Sequence, residues 1–86
     1  MVGIIYSPFF LRKLNGLEGD LQDEVAQKID LFKNRANHKI LKVHKLHGRF
    51  SGRFAFSVNY KFRIAFRYVS KNNVLFLDIG DHDIYK

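Results

Sequence analysis

The chain contains no cysteine. That excludes disulfides and thiolate metal sites, and it fits a reducing cytoplasm, where the protein is expected to reside. No stretch approaches the roughly 18 consecutive apolar residues of a membrane span. The first ten residues, MVGIIYSPFF, lack a basic segment and a small-residue cleavage site, so no secretory signal is read. Proline occurs once, at Pro8. The most informative scarcity is of negative charge. From Leu31 to Leu77 there is no Asp or Glu, while that stretch holds eleven of the fifteen Lys and Arg. The acids fall in two clusters, Glu18 to Asp30 and Asp78 to Asp83. A formal charge of +7 segregated in this way implies a surface that faces a polyanion, by Coulomb attraction and counterion release. An acidic protein partner would satisfy the same pattern.

What is present reads as one small domain over residues 1–86. A 47% hydrophobic and 15% aromatic composition is too apolar for disorder, yet a chain this short builds a small core. The stretch RFAFSVNYKFRIAFRY organises the rest. Phe54, Phe56 and Val58 alternate with Arg53, Ala55 and Ser57. Phe62, Ile64, Phe66 and Tyr68 alternate with Arg63, Ala65 and Arg67. Period-two alternation predicts a β-hairpin with one buried face. Placing Val58 opposite Phe62 makes the loop Asn59-Tyr60-Lys61, a common three-residue connection.

Around the hairpin, Val2–Tyr6 reads as a strand. Ser7 as cap, Pro8 at the first helical position and Gly16 at the exit bound a helix of about two turns. Asp20 as cap and the stripe Leu21, Val25, Ile29 and Phe32 predict a second helix over Asp20–Ala36, with Lys33 and Arg35 in its last turn. Ile40–Leu46 is expected to be a strand, HGRFSGR a flexible loop, Lys71–Asn73 a turn and Val74–Ile79 a buried strand. The fold class is therefore α+β: an N-terminal strand and a helical hairpin on one face of a mainly antiparallel, four- to five-stranded twisted sheet. The helices must cover the aromatic face, because nothing else can. The opposite face, with Arg53, Arg63 and Arg67, is then left for an anion.

Several residues have chemistry to offer. A guanidinium on a strand, as at Arg63, suits phosphate. His82 lies between two aspartates near the C-terminus and can exchange protons near neutrality. Tyr85 can stack on a base or donate a hydrogen bond. His44 and His47, three apart on a strand, would point to opposite faces, so no metal or other cofactor is expected. The loop GRFSG is a weak phosphate-loop signal. RNA carries its own nucleophile, the 2′-hydroxyl, so histidine, arginine and tyrosine suffice in principle to cleave it.

The segments HKLHGRFSGRFAFSVNYKFRIAFRY and LFLDIGDHDIYK, following a strand and two helices, resemble the RelE/ParE toxin superfamily, nearest its mRNA-interferase branch. The resemblance covers nearly the whole chain. It implies the toxin of a type II toxin-antitoxin pair that cuts mRNA, commonly on the ribosome, leaving a 2′,3′-cyclic phosphate without metal. By position it implies Arg63 on the scissile phosphate, His82 in proton transfer or charge stabilisation, and Tyr85 on the substrate. His44 matches a histidine found in some branches. Together with Lys45, Arg49, Arg53 and Arg67 it is expected to bind substrate. Ala55 and Ser57 stand where several active members carry ionisable groups, which leaves the general base open between His82, His44 and a group supplied by the ribosome. The ParE branch poisons DNA gyrase instead. The expected partners are mRNA, the ribosome and a short, acidic, partly disordered antitoxin in a heteromeric complex, with no membrane contact.

Overall fold

The computed structural model describes residues 1–81 and 84. Five strands and two helices follow one another as β1 (Gly3–Tyr6), α1 (Pro8–Asn15), α2 (Gly19–Phe32), β2 (His44–Lys45), β3 (Phe54–Ser57), β4 (Arg63–Ser70) and β5 (Asn73–Gly80). The strands form one sheet in the order β1-β5-β4-β3-β2. Every neighbouring pair is antiparallel except β1 and β5, which run parallel. The N-terminal strand is thus the fifth member of the sheet, at its edge. His82 and Tyr85 lie outside the described residues.

The hairpin has the expected register. Phe54 faces Phe66, Phe56 faces Ile64 and Ser57 faces Arg63. The Val58 N–H donates to the Phe62 carbonyl (2.9 Å), which leaves Asn59-Tyr60-Lys61 as the loop. Helix α1 also starts as its sequence dictates, with the Phe10 N–H donating to Ser7 Oγ (3.0 Å) and Pro8 in the first turn. Its C-terminal carbonyls are met by Gln22 of α2, whose Nε2 lies 3.0 Å from Leu14 O and 3.3 Å from Asn15 O, and which also donates to Leu17 O in the turn (3.1 Å). One side chain therefore closes the turn between the helices.

Helix α2 differs from expectation at both ends. It begins at Gly19, one residue before Asp20, so Asp20 sits in the first turn and is not the cap. It ends at Phe32, four residues before Ala36. Two polar side chains account for the early stop. Asn34 Oδ1 accepts from the Ala36 N–H and starts a short 3-10 turn over Arg35–Asn37. His38 places a ring nitrogen 2.8 Å from the Phe32 carbonyl, satisfying an acceptor that the helix end leaves free. Lys33 and Arg35 therefore follow the helix and do not form its last turn.

The expected strand Ile40–Leu46 shrinks to His44–Lys45. Lys42 has φ +59°, a left-handed conformation that ends any extended run, and its N–H closes a turn onto Lys39 O (3.1 Å). Leu41 is buried, and its carbonyl accepts from the Ser57 N–H (2.8 Å). The segment is thus a turn pinned into the core by one leucine, with a short edge strand after it.

Phe32 lies at the centre of the core with 0% exposure. It stacks on Phe56 (centroids 4.6 Å apart, 17°) and on His38 (4.5 Å, 16°), and it meets Phe66 and Phe76 edge-on. Each aromatic pair contributes about 0.5–1.5 kcal/mol beyond its area. Val25 and Ile29 of the same helix are buried beside it. The apolar stripe of α2 therefore covers the aromatic face of the sheet, as the alternation requires.

Candidate nucleic-acid interface

The face turned away from α2 is built row by row by strand pairing. One row runs His44, Ala55, Ala65, Asp78 across β2 to β5. The next runs Ser57, Arg63, Gly80. On the other side Arg67 pairs with Leu75, which pairs with Ile5. Arg53 and Arg67 flank the Phe54–Phe66 pair and so share this face. Both are exposed, whereas Arg63 is half-buried. The centre is not the open surface that alternation predicts: Ala55 and Ala65 are 0% and 3% exposed. The face is a closed floor of small side chains with cations at its ends.

Arg63 is held by the hairpin loop. Its Nη1 donates to the Asn59 carbonyl (2.7 Å) and the Phe62 carbonyl (3.2 Å). Its Nε and Nη2 have no hydrogen-bond partner among the described residues. A planar guanidinium anchored on one edge, with no partner for the other among the described residues, has the geometry to hold an oxyanion. Asn59 organises the loop. Its Oδ1 accepts from the Lys61 and Phe62 N–H groups (2.9 and 2.8 Å), and its Nδ2 donates to Glu24 Oε1 of α2 (2.8 Å). The sequence places Asn59 in the hairpin loop without a role at the site, and it gives Glu24 none. An Asn opening a tight loop is the one available signal, and its tie to a helix 35 residues away leaves no pattern.

A second feature absent from the sequence reading is the ion pair of Lys13 Nζ with Asp78 Oδ1 (2.6 Å), the sole salt bridge among the described residues. It joins α1 to the row beside Arg63. Gly80, opposite Arg63, has a packing role. A Cβ there would lie 2.6 Å from Ile84 Cγ2 and 3.5 Å from Lys13 Nζ. Ile84 therefore lies directly against the strand end that faces Arg63.

The other expected substrate contacts are dispersed. His44 is exposed on the Arg63 face and its Nδ1 is 2.8 Å from the Lys42 carbonyl. Lys45 pairs with Phe54, so alternation sends it to the other side of the sheet edge. Arg49 and Arg53 hold their guanidiniums over the Phe50 ring, 5.1 and 5.6 Å from its centroid. Arg63, Arg67, Arg53 and His44 are thus brought to one face. Lys45 and Arg49 belong to the neighbouring loop.

No family model matches the chain, and no curated protein matches it in sequence. Solved structures do match in shape. The chain superposes on the RelBE2 toxin-antitoxin complex from Mycobacterium tuberculosis with a TM-score of 0.70 at 14% identity, covering 94% of this chain and 98% of that one. The YoeB-YefM complex from Staphylococcus aureus gives 0.71 at 17% identity, covering 95% and 98%. The archaeal RelE-RelB complex from Pyrococcus horikoshii OT3 gives 0.71 at 12% identity, covering 93% of each chain. The chain thus has the α+β fold of the RelE/ParE-type toxins, with two helices on a five-stranded, mostly antiparallel sheet. At these identities the likeness is one of fold.

Proposed function

We propose that this protein is the toxin of a type II toxin-antitoxin pair and acts as a metal-independent endoribonuclease on mRNA, with the ribosome as the setting. The observation that carries the reading is Arg63: half-buried, its guanidinium fixed by the Asn59 and Phe62 carbonyls, with no further partner among the described residues, at the end of a cationic face. In the reaction the 2′-oxygen attacks the adjacent phosphorus as its proton passes to a base. The phosphorus–5′-oxygen bond breaks, and the leaving oxygen takes a proton. A 2′,3′-cyclic phosphate and a 5′-hydroxyl result. Arg63 stabilises the charge that grows on the non-bridging oxygens. His82 is assigned to proton transfer, with His44 or a ribosomal group as the alternative base, and Tyr85 to holding the substrate. Arg53 and Arg67 track the flanking backbone.

The partner reading follows from charge and from the neighbours. The RelBE2, YoeB-YefM and RelE-RelB structures are toxin-antitoxin complexes. A net charge of +7, with no Asp or Glu from Leu31 to Leu77, suits an acidic segment that folds on binding. No helix among the described residues is long and apolar enough to cross a membrane.

The test is a translation extract programmed with a defined mRNA. Wild-type protein should produce new 5′ ends within the coding region, and Arg63→Ala and His82→Ala should lose them. Intact mRNA on ribosomes with an open A site would overturn the reading. Intact mRNA together with DNA breaks that do not depend on His82 would identify a gyrase inhibitor instead.

A further inference from the structure

The loop between β2 and β3 is not part of the Arg63 chemistry, yet it forms a cleft of about 390 Å³ lined by Lys45, His47, Ser51, Arg53 and Phe54 among others. Among the described residues no carboxylate lines it. The loop is closed and shaped by its own backbone. The Leu46 N–H donates to Arg53 O (2.9 Å), Ser51 N–H to Gly48 O and Arg53 N–H to Phe50 O (both 3.0 Å). Gly48 and Gly52 have φ of +69° and +87°, conformations that favour glycine. Phe50 orders one wall, because the Arg53 guanidinium rests over its ring. Phe54 is half-buried, with one side stacked on Phe66 (5.6 Å, 21°). The cleft therefore offers two cations, a hydroxyl and two flat rings in a fixed frame.

We propose that this cleft takes one nucleotide of single-stranded RNA, with its phosphate on Lys45 and Arg53 and its base against His47 and Phe54. The ligand class follows from the wall. Cations alone would take any polyanion, but flat rings beside them favour an unpaired base, which has a free face to stack. A base in a duplex has no such face. Lys45 and Phe54 turn to the α2 side of the sheet, but Arg53 lines the cleft from the same face as Arg63. Arg53 lies four residues along β3 from Ser57, the partner of Arg63, or about 13 Å. An RNA strand held by Arg53 can turn from that face around the sheet end into the cleft. One RNA strand can therefore engage both places. The cleft would give the substrate a direction and restrict it to single strands. This inference rests on the RNA-binding part of the function proposed above.

The experiment measures binding without cleavage. A labelled 2′-O-methyl hexanucleotide, the same backbone with abasic positions, and a duplex are titrated by fluorescence anisotropy against wild type, His47→Ala, Phe54→Leu and Lys45→Gln. Wild type should prefer the intact strand over the abasic one by at least about fivefold, the effect of one stacked base. His47→Ala and Phe54→Leu should shrink that ratio toward one. Because His47 is exposed, its replacement leaves folding untouched, which a circular dichroism melt verifies. Lys45→Gln should weaken both strands equally and lower the salt slope by about 0.7. Equal affinity for intact and abasic strands in wild type would overturn the proposal, as would a ratio unchanged in both ring variants. The nuclease reading is judged separately by mRNA cleavage, so either can fail while the other holds.

Discussion

Replacing Asn59 by alanine should destabilise the protein far more than a surface-loop substitution normally does. Three side-chain hydrogen bonds disappear together: two from backbone N–H groups at 2.9 and 2.8 Å, and one to the Glu24 carboxylate at 2.8 Å. A net contribution of about 1 kcal/mol for each, slightly more for the bond to a charged group, gives roughly 3 kcal/mol. A domain of this size has a total stability near the low end of about 5–15 kcal/mol. The expected fall in melting temperature is therefore about 12–24 °C. Urea melts of wild type, Asn59→Ala, Glu24→Ala and the double variant would measure it. The cycle should show a coupling of about 1 kcal/mol between residues 24 and 59. A loss under about 0.5 kcal/mol, or additive single effects, would refute the idea that this asparagine ties the hairpin to the helix.

A charge exchange separates folding from positioning. Asn59→Asp keeps the acceptor for the two loop N–H groups but sets a carboxylate against Glu24. Adding Glu24→Gln restores a donor–acceptor pair across the gap and should recover most of the stability. If Arg63 then regains its hold on the Asn59-position carbonyl, cleavage should recover in parallel, with kcat affected more than KM. Recovery of stability with no recovery of kcat would show that the loop does not orient the guanidinium.

Three further outcomes are expected. Phe32→Ala removes the ring at the centre of the aromatic cluster and should cost about 3–5 kcal/mol, leaving little folded protein in a urea titration. Gly80→Ala puts a methyl within 2.6 Å of Ile84 Cγ2, the branch methyl held on Cβ, so Ile84 must shift with its backbone. The melting temperature should fall and mRNA cleavage with it, because the displaced residue lies beside the Arg63 row. Burial raises the Tyr6 pKa above 10.0, so the fold favours the neutral phenol. That contribution is intact below the unfolded value and is lost as pH climbs through the folded one. Tyr6→Phe should therefore lose less stability than wild type between about pH 9 and pH 11, by urea midpoints. With Tyr6 37% exposed, the difference will be small.

The parts of this fold that can be read from sequence are those set by local rules. The hairpin register follows from period-two alternation, and α1 is bounded by Ser7, Pro8 and Gly16. Expectation and structure part where side chains outside an element decide where it ends. Helix α2 stops at Phe32 because His38 and Asn34 compete for its end, and β2 shortens because Leu41 must reach the core. The cationic face follows from the absence of acids between Leu31 and Leu77. Its closed alanine floor does not, because burial of Ala55 and Ala65 depends on neighbours from four strands.

Strand β5 shows how a non-local constraint hides in a plain sequence. VLFLDIG reads as a continuous apolar run, and strict alternation from Val74 and Phe76 would send Asp78 into the core. Pairing with β4 instead shifts by one residue: Phe66 faces Phe76, but Ala65 faces Asp78, leaving Leu77 as an extra residue. The bulge returns Ile79 to the core face, opposite Ile64, and carries Asp78 to the cationic face. An unpaired carboxylate buried among phenylalanines would cost several kcal/mol, more than a domain this small can absorb. The first helix meets the strand at this irregularity. The Ser7 N–H donates to the Phe76 carbonyl (3.2 Å), and Lys13 one helix length on pairs with Asp78. The same bulge that solves the burial problem thus draws α1 to the strand and sets its lysine beside the row that holds Arg63.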